Sequence, residues 1–188
     1  PHTMLVHVSM RVEDQTRIRS AIEAQRTLWL EARRQGHDFS HLFEEALERD
    51  FAGVVLPAEP EAIVRRAIQV LEQLDVVELN SVTGENLEYD QRPARHIVAV
   101  GGNRLSRGLT LEGLTISYFL RTASMADTLL QMARWYGFRT DYEDLIRIWT
   151  TDGIAQWFTE LALVEESMRD SLQALYRAGR RPSEMAIR

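Results

Sequence analysis

Short apolar runs alternate along the chain with stretches of helical periodicity. The apolar runs, typical of buried strands, cover residues 4–8, 76–80, 95–100, 114–120 and 145–149. Apolar positions recur at helical spacing in the stretches between and after these runs: 11–35, a stretch from Ser40, 61–74, about 124–135, and a long stretch after Thr151. This alternation predicts an α/β fold with a mainly parallel sheet and helices on its faces.

Two polar features refine this prediction. Ser40 and Thr151-Asp152 stand where a helix would begin, and hydroxyl or carboxylate side chains there accept hydrogen bonds from free backbone N–H groups. We therefore predict that they cap the second and the last helix.

His7 and His96 lie on apolar strands, where we expect a histidine that is hydrogen-bonded within the core.

Composition removes several kinds of chemistry. All 22 basic residues other than histidine are arginine, so the chain has neither a phosphate-loop lysine nor a Schiff-base lysine. The absence of cysteine excludes disulfides and thiolate chemistry and is compatible with a cytoplasmic location. The net charge of −6 argues against strong independent binding of nucleic acid. No apolar run is long enough to span a membrane, so no membrane partner is expected.

The length of 188 residues fits one domain with a helical appendage. We assign residues 1–178 to that domain, including the long last helix, and residues 179–188 to a basic tail. Because the sequence starts with proline, we expect it to be a fragment of a longer protein.

Two segments combine glycines with arginines, at 101–110 and at 131–139. Glycine lets the backbone approach a phosphate closely, and arginine stabilises the charge that develops during phosphoryl transfer. The first segment directly follows a predicted strand. Ligands of parallel sheets bind at this position, beyond the carboxyl ends of the strands.

The segments 98–121 and 127–139 resemble the signature of the Z1 domain, and residues 3–9 and 181–188 resemble its edges. Z1 proteins are bacterial, carry an endonuclease label, and occur in restriction and phage-defence systems. The Z1 domain in turn resembles the second RecA-like lobe of superfamily 2 helicases. The resemblance implies a RecA-like, mainly parallel sheet with helices on both faces, plus a helical extension.

The helicase comparison also implies roles for individual residues. Ser106-Arg107-Gly108 is similar to the fifth helicase motif, although Thr110 replaces the usual aspartate. The segment from Gln131 to Arg139 resembles the sixth, although its two arginines are five residues apart instead of three. The implied catalytic arginine fingers are Arg134 and Arg139; the implied cofactor-binding residues are Arg107, Gly108, Thr110 and Gln131; the implied DNA-binding residues are Arg104, Ser106, Ser9 and Asn80.

The function implied is the second lobe of a DNA-dependent, helicase-like ATPase in a restriction or phage-defence system. ATP and Mg²⁺ would bind the N-terminal ATPase lobe of the same protein, DNA would be a binding partner, and a separate nuclease subunit is a further candidate partner. The isolated chain would not hydrolyse ATP. The alternatives are an endonuclease domain acting on DNA and a degenerate RecA-like module that mediates assembly.

Simpler interpretations compete at single positions. Arg134 and Arg139 could form structural ion pairs with the acidic residues at 141, 143 and 144. His37, Asp38 and His41 have a spacing that could bind a metal, but a polar helix start explains them as well, and we predict no metal site.

Overall fold

The fold is known from a computed structural model that describes residues 2–80, 87, 89, 95–102, 110–121, 140 and 142–181. In chain order these residues form β1 (His2–His7), α1 (Val12–Arg34), α2 (Ser40–Asp50), α3 (Pro60–Glu72), β2 (Leu74–Leu79), β3 (His96–Gly101), β4 (Leu114–Phe119), a 3₁₀ turn (Glu143–Leu145), β5 (Arg147–Trp149) and α4 (Asp152–Arg177).

The five described strands form one sheet in the order β2-β3-β1-β4-β5, and every pairing among them is parallel. The first strand of the chain is therefore the central one. Its Leu5 is level with Ala99 of β3 and with Ser117 of β4. Since paired residues of parallel strands share a face, this register defines which side chains lie together on each face of the sheet.

One face is covered by α1. Val6, Val98 and Val100 form its buried core together with Val76, and Ile18 and Ile22 of α1 pack against them. The branched valines suit this arrangement because they pack well on a pleated surface. Each side chain fully buried in this way contributes about 1.5–3 kcal/mol.

The opposite face has two apolar clusters. Over β2, β3 and β1, the buried side chains are Leu5, Leu79, Ile97, Ala99, Leu111 and Leu114. Over β4, the fully buried Phe119 packs against Ile154 and Phe158 of α4. The predicted α/β fold, with a parallel sheet and helices on both faces, is thus confirmed.

The structure confirms one of the two predicted helix caps and contradicts the other. Thr151 caps α4, since its hydroxyl accepts a hydrogen bond from the backbone N–H of Ile154. The prediction for Ser40 is wrong: Ser40 is the first helical residue of α2, and its N–H donates to the carboxylate of Asp38 at 2.9 Å. The N-cap position is Phe39, and the first helical N–H is satisfied by the carboxylate of Asp38. The helix predicted at about 124–135 lies outside the described residues.

Candidate functional site

The carboxyl ends of β1, β3 and β4 meet at one edge of the sheet. The chain leaves β1 for α1, which covers one face, whereas Leu111 and Leu114, before and at the start of β4, lie on the opposite face. The described end of the connection that enters β4, at Leu111, therefore lies on the face opposite to α1. In open α/β sheets, ligands bind at the carboxyl edge, next to neighbouring strands whose connections lie on opposite faces.

Gly102 directly follows β3 at this carboxyl edge. A Cβ atom placed on it would lie 3.0 Å from the backbone oxygen of Ser9 and 2.5 Å from Nε2 of Gln15. Gln15 of α1 is almost fully buried, and its Nε2 donates to that same Ser9 oxygen at 3.0 Å. The loops after β1 and β3 are therefore in direct contact, and only glycine fits at position 102 without displacing one of them.

Ser9, a predicted DNA contact, is held by the start of α1. Its hydroxyl donates to Asp14 Oδ2 at 2.7 Å and accepts from the backbone N–H of Arg11 at 3.1 Å. The side chain lies at the expected edge, half-buried. Because the hydroxyl has one proton and a phosphate oxygen accepts, a phosphate contact through Ser9 would have to replace the hydrogen bond to Asp14.

Asn80, a second predicted DNA contact, directly follows β2 and is only 4% exposed. Its Nδ2 donates to the buried carboxylate of Glu78, which also accepts from the hydroxyl of Thr16 on α1 at 3.0 Å. These bonds satisfy a buried carboxylate that would otherwise be costly. In the described structure, the amide of Asn80 thus has an internal role at the carboxyl edge.

His7 and Arg121 form a buried pair at the end of β1 and β4. The N–H of Leu120 donates to the carbonyl of His7 at 3.1 Å, so the pairing of these strands continues past Phe119 and brings Arg121 to the end of β1. Nη1 of Arg121 lies 3.2 Å from Nε2 of His7. Because arginine can only donate, this nitrogen of His7 accepts, and the ring proton is on Nδ1.

Burial sets the charge state of this pair. It lowers the pKa of His7 to about 4, with a smaller contribution from the positive charge of Arg121. His7 is therefore neutral at pH 7. Burial also lowers the pKa of Arg121, but a guanidinium stays protonated in proteins, so the pair carries one positive charge.

Thr110 is the remaining predicted site residue that the structure describes. It is exposed, next to the buried Leu111. The other seven predicted site residues lie outside the described residues: Arg104, Ser106, Arg107, Gly108, Gln131, Arg134 and Arg139. Their roles stay predictions. Of the acidic residues considered as ion-pair partners, those at 143 and 144 are exposed and the one at 141 is not described.

The histidine cluster lies apart from this edge, at the start of α2. The carboxylate of Asp38 is bonded to Ser40, and this bond lowers the pKa of Asp38. Within the described ranges, no group of three or more histidine, aspartate or glutamate side chains is arranged to hold a metal ion. Likewise, none of the described helices combines the length and apolarity that crossing a bilayer requires.

Sequence reasoning missed Gln15 and Arg121. Arg121 carries a usable signal, because a charged residue that directly follows a buried parallel strand is expected at the ligand-binding edge. Gln15 gives no such signal. It is one of many polar residues on a largely exposed helix, and only the packing of α1 against the loop at Gly102 makes it special.

Comparison with known proteins identifies the family but no characterised relative. The model of the Z1 domain matches residues 1–188, which is the whole chain. No curated protein and no solved structure matches the sequence.

Proposed function

We propose that this chain, which belongs to the Z1 domain family, is the second, arginine-finger lobe of a DNA-dependent, helicase-like ATPase. The observation that carries the proposal is the strand order β2-β3-β1-β4-β5, which places the carboxyl ends of β1 and β3 side by side. Gly101-Gly102, which begins the first glycine-arginine segment, lies at this carboxyl edge, in contact with the loop after β1. A nucleotide-binding edge in a parallel sheet has this arrangement.

The proposed reaction is ATP hydrolysis in a cleft between two lobes. The N-terminal ATPase lobe of the same protein would bind ATP and Mg²⁺, while Arg134 and Arg139 would reach the γ-phosphate from this lobe. A guanidinium forms bidentate, charge-assisted hydrogen bonds to phosphate, and arginine fingers raise the rate by about 10³–10⁵. Arg107, Gly108 and Thr110, with Gln131, would line the nucleotide side of this lobe.

DNA would lie along the same edge of the sheet. Ser9 and Asn80 both follow the carboxyl ends of their strands, and Arg104 and Ser106 follow β3 within a few residues. The buried amide of Asn80 would have to leave Glu78 to contact DNA. The net charge of −6 indicates that phosphate contacts from this lobe alone would be few and their salt dependence shallow. The other lobe would therefore supply much of the DNA affinity.

The biological setting follows from the family resemblance alone. We place the protein in the bacterial cytoplasm, in a restriction or phage-defence system, with a separate nuclease subunit as a further partner. The alternatives are an endonuclease domain acting on DNA and a degenerate assembly module; an endonuclease of this sequence would have to work without a catalytic lysine, because the chain has none.

The test uses the two-lobed protein with Arg134→Ala and Arg139→Ala. Fingers act mainly on the transition state, so kcat for ATP hydrolysis should fall by about 10³-fold or more while the Kd for ATP changes little. Arg95→Ala is the matched control: Arg95 lies at the amino edge of β3 in an ion pair with Asp75, so its loss should leave kcat unchanged. Wild-type turnover in both finger variants would refute the proposal.

A further inference from the structure

Arg121 has a positive charge that the described structure does not neutralise. The side chain is only 7% exposed, and no described carboxylate forms an ion pair with it. Its Nε is buried and has no hydrogen-bond partner among the described residues. Its hydrogen bond to His7 goes to a neutral ring.

Such an arrangement is costly for a protein without a ligand. A buried charge normally has a partner of opposite sign, because desolvation is expensive and arginine cannot avoid it by losing its proton. A neutral histidine fixes the direction of the guanidinium without cancelling its charge. An arginine that binds an anion would have these two properties in the absence of its ligand: a free Nε–H and an uncompensated charge.

The position of Arg121 narrows the kind of anion. The residue directly follows β4, at the carboxyl edge where ligands of parallel sheets bind. Only β1 separates β4 from β3, the strand that Gly102 follows. The planar guanidinium matches the oxygen geometry of phosphate. With 7% exposure, Arg121 suits a terminal phosphate group that can enter the edge better than the backbone of a DNA duplex, which would have to contact it from outside.

We propose that Arg121 binds a phosphate group of a nucleotide at the carboxyl edge of the sheet, and that His7 is the residue that positions its guanidinium. Phosphate binding by Arg121 is an inference from the described geometry. The assignment of that phosphate to a nucleotide rests on the proposed function. This adds a third arginine to the two predicted fingers, and it makes Arg121 a ligand-binding residue instead of a structural one.

The experiment measures binding of pyrophosphate to this chain by calorimetry and by the shift in Tm, at constant ionic strength. The wild type should bind pyrophosphate and be stabilised by it. Arg121→Met, which keeps the length but removes the charge, should abolish the shift and should unfold without ligand at the same or a higher Tm, because a costly buried charge is gone. Arg95→Met, at the opposite edge, should keep the shift.

Arg121→Lys is a second variant that tests the proposal even where Arg121→Met does not fold. Arg121→Lys keeps the charge but loses the bidentate fork, so the affinity for pyrophosphate should fall about tenfold. His7→Gln keeps an acceptor for the guanidinium and should bind nearly as the wild type does, whereas His7→Leu, which has no acceptor, should bind more weakly.

Three results would overturn the proposal. They are no pyrophosphate binding by the wild type, unchanged affinity in Arg121→Lys, or a lowered Tm in Arg121→Met that still binds. Protection by a DNA oligonucleotide but not by pyrophosphate would reassign the site to DNA and reject the nucleotide. The test is independent of the finger variants: inactive ATPase chemistry with intact pyrophosphate binding would reject the proposed function and leave this site standing.

Discussion

The burial of His7 predicts that the protein loses stability as the solution becomes mildly acidic. Protonating this ring in the folded state would place a second positive charge beside Arg121, at a site that is only 2% exposed. Folding therefore lowers the pKa of His7 from 6.5 to about 4. The unfolded chain takes up the proton near neutral pH, and the folded chain does not.

The size and sign of the effect follow from proton linkage. Between these two pKa values the unfolded state binds more protons than the folded state. The free energy of unfolding therefore has its full value, as far as His7 is concerned, above pH 6.5 and decreases as the pH falls toward 4. The slope is about 1.4 kcal/mol per pH unit in that window. Between pH 7 and pH 5 the loss assigned to His7 is about 2 kcal/mol.

Urea unfolding at several pH values measures this slope, with His7→Gln as the test variant. Glutamine can still accept from Arg121 but does not titrate, so the variant should show a slope smaller by nearly one proton. The lowered pKa values of His2 and His96, which result mainly from burial, add slope to both proteins and cancel in the comparison. Equal slopes in wild type and His7→Gln would refute the assigned environment of His7.

Two further predictions concern stability and are read from urea midpoints at constant m-value. Gly102→Ala should cost about 1–3 kcal/mol because its Cβ would collide with Gln15 and with the loop after β1, whereas Gly153→Ala, where a Cβ meets nothing within 4 Å, should cost nothing or stabilise by about 0.5 kcal/mol. Thr151→Ala should cost about 1 kcal/mol by removing the cap of α4, and Thr159→Ala, an exposed threonine within the same helix, should stay within about 0.5 kcal/mol of wild type; equal losses in the two would contradict the cap.

The order and type of the elements could be predicted because they depend on local patterns. Each described strand overlaps an apolar run, and α1 and α3 start and end within two residues of the predicted bounds. Burial within a helix was less predictable. Leu28 belongs to the apolar positions of α1 but is 58% exposed, because α1 covers the sheet through Ile18 and Ile22 in its first half. Which part of a helix reaches the sheet is a property of packing, which periodicity does not contain.

Electrostatic roles depend on still longer-range information. The sequence assigns Asn80 to DNA because it follows a strand, yet whether its amide is free depends on Glu78 and on Thr16 from a different element. Arg121, in contrast, was not predicted as a site residue, because in the sequence it is one of 22 arginines. Its buried, uncompensated charge arises only because β4 continues its pairing with β1 and places the guanidinium beside a neutral histidine. If Arg121 binds phosphate, the strand pairing and the neutral His7 have the same consequence: they keep a buried, positively charged guanidinium in position to bind an anion.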